Sequence, residues 1–214
     1  MPASPGAELI DTTEVYGWVH RPGVGTPVAA IALTHGAGLD CTAPLLVAVA
    51  EAFASLGVCA LRYDLPFRRL RPRGSPLGSA VRDREGIRKA ALALRDIAPG
   101  VPLHLGGHSY GGRQSSMAAA EDAQIADALL LLSYPLHPPK QPEKLRTEHF
   151  PLLRVPSFFV HGSRDEFGTI ADLERARRLI PARTGLQPVE KSPHGLPPRY
   201  AGQIAEWFVT FTKG

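Results

Sequence analysis

Short apolar runs alternate along this chain with longer stretches in which apolar residues recur every three or four positions. The short runs have strand length and little internal polarity, which is the pattern of strands buried on both faces. The longer stretches have the period of helices with one apolar side. Val28 to His35 is such a run and ends in Gly-Ala-Gly. A helix from Pro44 to Leu56, stopped by Gly57, and the run VCALRYD from Val58 follow it. From Ser79 to Ile97 the positions Val81, Ile87, Ala90, Leu94 and Ile97 share one helical face, closed by Pro99 and Gly100. Pro102 to Gly106 is the third run, followed by a glycine-rich turn and an alanine-rich helix from Arg113 to Glu121. Ala128 to Pro135 is too short for an independent helix and reads as a strand. A proline-rich connection leads to the strand Ser157 to Val160. An amphipathic helix from Thr169 to Ile180, a weaker strand from Gly185 to Glu190 and a closing helix from Pro198 to Thr212 complete the pattern. The first twenty residues read as an edge strand or a hairpin.

Strands that alternate with helices in this way form βαβ units, so the expected fold class is α/β: a mostly parallel central sheet with helices on both faces. No repeat and no shift in composition interrupts the 214 residues, which are expected to form a single domain over 1–214. With 44% hydrophobic and 21% charged residues, the composition excludes disordered and fibrous classes. No apolar stretch approaches the roughly 20 residues of a membrane span, and the N-terminus has no leader-like core; a cytoplasmic protein with no membrane partner is expected. The two cysteines, Cys41 and Cys59, form no disulfide framework. A net charge of +4 owes much to RRLRPRG, Arg68 to Gly74. No aromatic platform or recognition helix accompanies those arginines, so no nucleic acid is expected as a partner.

The segment Gly107-His108-Ser109-Tyr110-Gly111 changes the picture. It fits G-x-S-x-G, and it stands between a predicted strand and a predicted helix, where a sharp turn exposes the serine above the sheet. A serine so placed needs an acid and a histidine later in the chain, in that order. Of the eight histidines only His194, in the turn before the last helix, follows an acid at a strand end. The strand Ala128 to Tyr134 offers no carboxylate at its end, whereas Ser157 to Val160 runs into His161-Gly162-Ser163-Arg164-Asp165. Asp165 is therefore the expected acid, with its neighbour Glu166 as a substitute. Oxyanion stabilisation would come from the N–H of Tyr110 and that of Ala37 in THGAG, with Gly36 as the fallback donor. Other chemistries fit poorly. Arg113-Gln114 stand where a phosphate-binding loop carries Lys-Ser/Thr, and no zinc-ligand spacing occurs. No cofactor and no metal are expected.

With LTHGAG (Leu33 to Gly38), LRYDLPF (Leu61 to Phe67), GHSYGGR (Gly107 to Arg113) and HGSRDEFGT (His161 to Thr169), the chain resembles the cap-less α/β-hydrolases. Its resemblance is closest to a predicted-hydrolase group that includes a testis-expressed vertebrate protein. It is more distantly similar to the dienelactone hydrolases, which carry cysteine where this chain has Ser109. The resemblance covers most of the chain and implies an α/β-hydrolase fold and carboxylesterase-like serine hydrolysis of a small ester-like substrate, a carboxylic ester or thioester; a monomer or homodimer is expected. The interval before Ser157 is too short for a cap domain. The arginine-rich loop leaves a strand at its active-site end, so Arg68 and Arg69, with Arg71 and Arg73, are expected to steer an anionic substrate. A catalytically silent fold that acts as a binding module is the alternative.

Overall fold

A computed structural model describes residues 6–76 and 80–214. Among the described residues eight strands form one sheet: β1 (Ala7–Asp11), β2 (Tyr16–His20), β3 (Ala29–Thr34), β4 (Val58–Tyr63), β5 (Leu103–His108), β6 (Ala128–Leu132), β7 (Ser157–Gly162) and β8 (Thr184–Val189). Their spatial order is β1-β2-β4-β3-β5-β6-β7-β8. β3 to β8 pair in parallel, while β1 and β2 make an antiparallel hairpin at the edge, with Ala7 opposite His20.

The helices α1 (Pro44–Ser55), α2 (Pro66–Leu70), α3 (Ala80–Ile97), α4 (Tyr110–Glu121), α5 (Ile170–Ala176) and α6 (Ala201–Lys213) supply the cover. Leu46, Val49 and Phe53 of α1 join Ile204 and Phe208 of α6 against one sheet face; Ile87 and Leu94 of α3 join Ala118 of α4 against the other. Strand residues point alternately to the two cores: Leu129 and Leu131 to the second, Leu130 and Leu132 to the first. All four are fully buried, each contributing about 2 kcal/mol by removal from water. This double burial explains why β6 reads as an uninterrupted leucine run instead of alternating.

The helix expected from Ser79 is described from Ala80; Ser79 itself lies outside the described residues. The expected loop from Asp64 contains α2, which the chain pattern did not announce. Pro66 suits a first helical turn, but the N–H of Phe67 is satisfied by Oδ1 of Asp83 on α3, a partner sixteen residues away. The helix expected to reach Ile180 ends at Ala176 and tightens into a 3₁₀ turn, Arg177–Leu179. Between β6 and β7 the chain holds one 3₁₀ turn, Phe150–Leu152, and no cap domain. No helix among the described residues is long and apolar enough to cross a membrane.

Candidate active site

β5 ends at His108 and α4 begins at Tyr110, so the whole reversal falls on Ser109. Its backbone sits at φ 52°, ψ −115°, a conformation that non-glycine residues avoid and that the surrounding structure must hold. The two flanking glycines are required by close approach. A Cβ on Gly107 would lie 2.4 Å from the Thr34 carbonyl oxygen, and one on Gly111 2.6 Å from that of His35. Backbone bonds lock the turn: Ser109 N–H donates to Leu132 O at 2.8 Å and Gly111 N–H to His35 O at 3.1 Å.

Three strand ends bring the expected residues together. His194, in the loop after β8, has Nε2 at 2.8 Å from Ser109 Oγ. Its Nδ1 lies 2.8 and 3.0 Å from the two carboxylate oxygens of Asp165, in the loop after β7. The Asp165 side chain is fully buried, and its Oδ1 also accepts the Phe167 N–H at 2.9 Å. Glu166 is exposed and takes no part in this chain of contacts.

The expected anion donors stand beside the serine. As the first residue of α4, Tyr110 has an N–H without an acceptor in its own helix. Among the described residues neither it nor the Ala37 N–H donates to any other group. Ala37 lies in a turn closed by Leu39 N–H to Gly36 O at 3.1 Å, just beyond β3.

Residues 27–206 match the family described as an alpha/beta hydrolase domain. The chain belongs to the α/β-hydrolase family. Solved structures of the same fold include a dienelactone hydrolase from Anabaena variabilis, 20% identical over 95% of this chain and 97% of that one, with a TM-score of 0.76. Est1E from Butyrivibrio proteoclasticus is 17% identical over 98% of this chain and all of its own, TM-score 0.75. A serine hydrolase without a lid from Xanthomonas campestris is 18% identical, covering 97% of this chain and 93% of that one, TM-score 0.70.

In this α/β hydrolase the serine and histidine open into a cavity of about 430 Å³, whose wall also includes Tyr110, Arg113, Arg146 and Phe167. The arginine-rich loop does not supply that wall. Arg68 is 4% exposed, and its guanidinium donates to the carbonyl oxygens of Leu39, Ala37, Arg71 and Gly74 at 2.7 to 3.1 Å. It braces the Gly36–Leu39 turn from behind. Arg69 points the other way, to the carbonyl oxygens of Thr12 and Thr13 at the hairpin turn. Arg71 and Arg73 are exposed and likewise absent from the cavity wall. Arg68 and Arg69, expected to steer an anionic substrate, thus contribute no side chain to the serine cavity: helix α2 turns the first inward and the second toward the sheet edge.

Several participants were not foreseen. The Phe167 ring lies 4.1 Å from that of His194, centroid to centroid, and covers one imidazole face. The His108 ring also lies near that of His194, 5.3 Å away, and its Nε2–H donates to the His194 carbonyl at 3.1 Å. Burial pulls His108 down to about 4, so this ring stays neutral and can hold its one proton on Nε2. Burial likewise lowers His35 and His161. His35 accepts the Leu65 N–H at Nε2, and His161 donates Nε2–H to Gly168 O. The histidines packed around the serine thus act as neutral braces. His108 and Phe167 sit inside GHSYGGR and HGSRDEFGT, but only the fold shows that both pack against one ring.

Proposed function

We propose that this protein is a serine hydrolase that cleaves a small carboxylic ester or thioester through an acyl-enzyme. The continuous path from Asp165 through His194 to Ser109 Oγ, with contacts of 2.8 Å on both sides of the imidazole, carries the reading. His194 Nε2 accepts the Ser109 proton as Oγ bonds to the substrate carbonyl carbon. The N–H groups of Tyr110 and Ala37 receive the resulting oxyanion. Collapse expels the alcohol or thiol, which leaves with the proton held on His194. Water then gives a proton to Nε2 while its oxygen attacks the acyl carbon, and the acid departs as Oγ regains its proton. Asp165 keeps Nδ1–H in place and stabilises the transient imidazolium.

An uncapped site suits small or protruding acyl groups rather than long lipid chains. The sequence resemblance to the group with a testis-expressed vertebrate protein belongs to the same reading and supplies no substrate. Fluorophosphonate labelling and p-nitrophenyl acetate turnover, compared between the wild-type protein, Ser109→Ala and His194→Ala, test it. Both signals should be present in the first and lost in the variants. A folded wild-type protein that is neither labelled nor active would instead assign the fold to a binding role.

A further inference from the structure

Most arginines of this molecule that turn toward the protein are answered by it. Arg62 is met by His20 and the Cys41 carbonyl, Arg68 by four carbonyls, Arg84 and Arg88 by Glu121, and Arg177 by Glu174. Two arginines in the wall of the serine cavity are the exception. Arg113 lies one helical turn after Ser109 on α4, its N–H bonded to Ser109 O at 3.0 Å; Arg146 comes from the β6–β7 connection. Among the described residues neither guanidinium has a carboxylate oxygen within 4.0 Å. Arg113 Nε is buried without any hydrogen-bond partner, and the one bond from the Arg146 guanidinium is a long 3.5 Å contact to Pro135 O. Burial, and next the charge of Arg113, pull Arg146 below the ordinary arginine range. Exposed Glu148 forms no ion pair with either. Two like charges turned toward one cavity with so little compensation from the protein are unfavourable, and an anionic ligand would relieve both.

We propose that Arg113 and Arg146 form a carboxylate-binding subsite, and that the substrate is an ester bearing a second, free carboxylate a few atoms from the scissile bond. This rests on the reading of Ser109 as nucleophile. The planar fork of a guanidinium pairs with a carboxylate through two parallel hydrogen bonds, and two forks on different elements would fix its direction. The position of Arg113, about 6 Å along the helix axis from Ser109, sets a short reach between the two groups.

Two matched pairs test the subsite: mono-p-nitrophenyl adipate against p-nitrophenyl hexanoate, and 3-acetoxybenzoate against phenyl acetate. The wild-type protein should favour the anionic member of at least one pair by about tenfold or more in kcat/KM, and added salt should shrink that ratio. Arg113→Gln and Arg146→Gln should each bring the ratio close to one, Arg113→Lys should keep part of it, and Arg69→Gln should leave it intact. A ratio near or below one in both pairs, or one that survives both glutamine substitutions, would overturn the proposal. In parallel, adipate should raise the Tm of Ser109→Ala beyond sodium chloride of equal ionic strength, and Arg113→Gln should erase the shift. Stabilisation by inorganic phosphate without stabilisation by adipate would also overturn it. Adipate binding with no turnover of any ester would retire Ser109 as nucleophile and leave the subsite standing. Turnover of both members of each pair at equal rates, with no adipate binding, would do the reverse.

Discussion

Arg68 donates to the carbonyl oxygen of Ala37 at 2.9 Å, so a buried cation holds a turn that borders the serine cavity. The same guanidinium holds Leu39 O at 2.7 Å. Phe67, next to it, packs against the rings of His35 and Tyr110 at 5.5 and 5.7 Å, so α2 supports both the residue that follows β3 and the start of α4.

Under the proposed mechanism Arg68→Met should act on kcat rather than KM, because the Ala37 N–H would serve only when charge develops on the substrate oxygen. A loss of about 10- to 100-fold in kcat is expected, together with roughly 2 kcal/mol of stability from the broken charged bonds. Arg68→Lys, which keeps the charge but reaches fewer carbonyls, should fall between. Steady-state kinetics and urea denaturation on the same samples would show it; a change confined to KM would place Arg68 in substrate contact instead.

Ser109 bears a backbone conformation that glycine tolerates far better. Ser109→Gly should abolish turnover yet raise stability by about 1 kcal/mol, a Tm gain of about 2 to 4 °C at this chain length. Calorimetry beside Ser109→Ala, which removes the hydroxyl but not the strain, isolates the backbone contribution.

Phe167 holds the imidazole by one face, while Asp165 holds it by one edge. Phe167→Ala should lower kcat about tenfold without changing fluorophosphonate stoichiometry, since the ring would swing while Ser109 stays in place. Phe167→Leu should recover part of the rate. Equal rates in both variants and the wild-type protein would remove Phe167 from the positioning role.

Stability should fall with acid before the carboxylates titrate. His20, His104 and His108 are buried, and burial lowers each to about 4, against about 6.5 in the unfolded chain. Between these values the unfolded chain binds more protons than the folded one. Their stabilisation is thus complete above about pH 6.5, declines as the pH falls, and levels off below about 4. The slope is roughly 1 kcal/mol per pH unit for each group. Urea midpoints from pH 7.5 to 4.5 would trace the decline, and His104→Gln should make it shallower.

The chain pattern alone specified the alternation of strand and helix and the order in which Ser109, Asp165 and His194 follow three strands, and it left the first twenty residues as an edge strand or a hairpin. Those features depend on periodicity, glycine spacing and turn residues, which act over a few positions and are written locally. The glycines at 107 and 111 are legible for the same reason: each makes room for a strand end beside the elbow. Their atomic cause, the carbonyls of Thr34 and His35, becomes visible only when β3 lies beside β5.

What faces what was decided by tertiary structure. Ser109 and His194 are 85 positions apart, and Arg68 and Ala37 31 apart. In the sequence Arg68 and Arg69 are adjacent and equivalent. A single turn of α2, capped by Asp83 from another helix, turns one under the Ala37 loop and the other out to the hairpin. Arg113 and Arg146 reach one cavity only because the parallel crossover sets the end of β5 beside that of β6. A side chain's period tells whether it is buried; its partner depends on strand order, register and the path of a connection, which are set by the packing of the whole sheet.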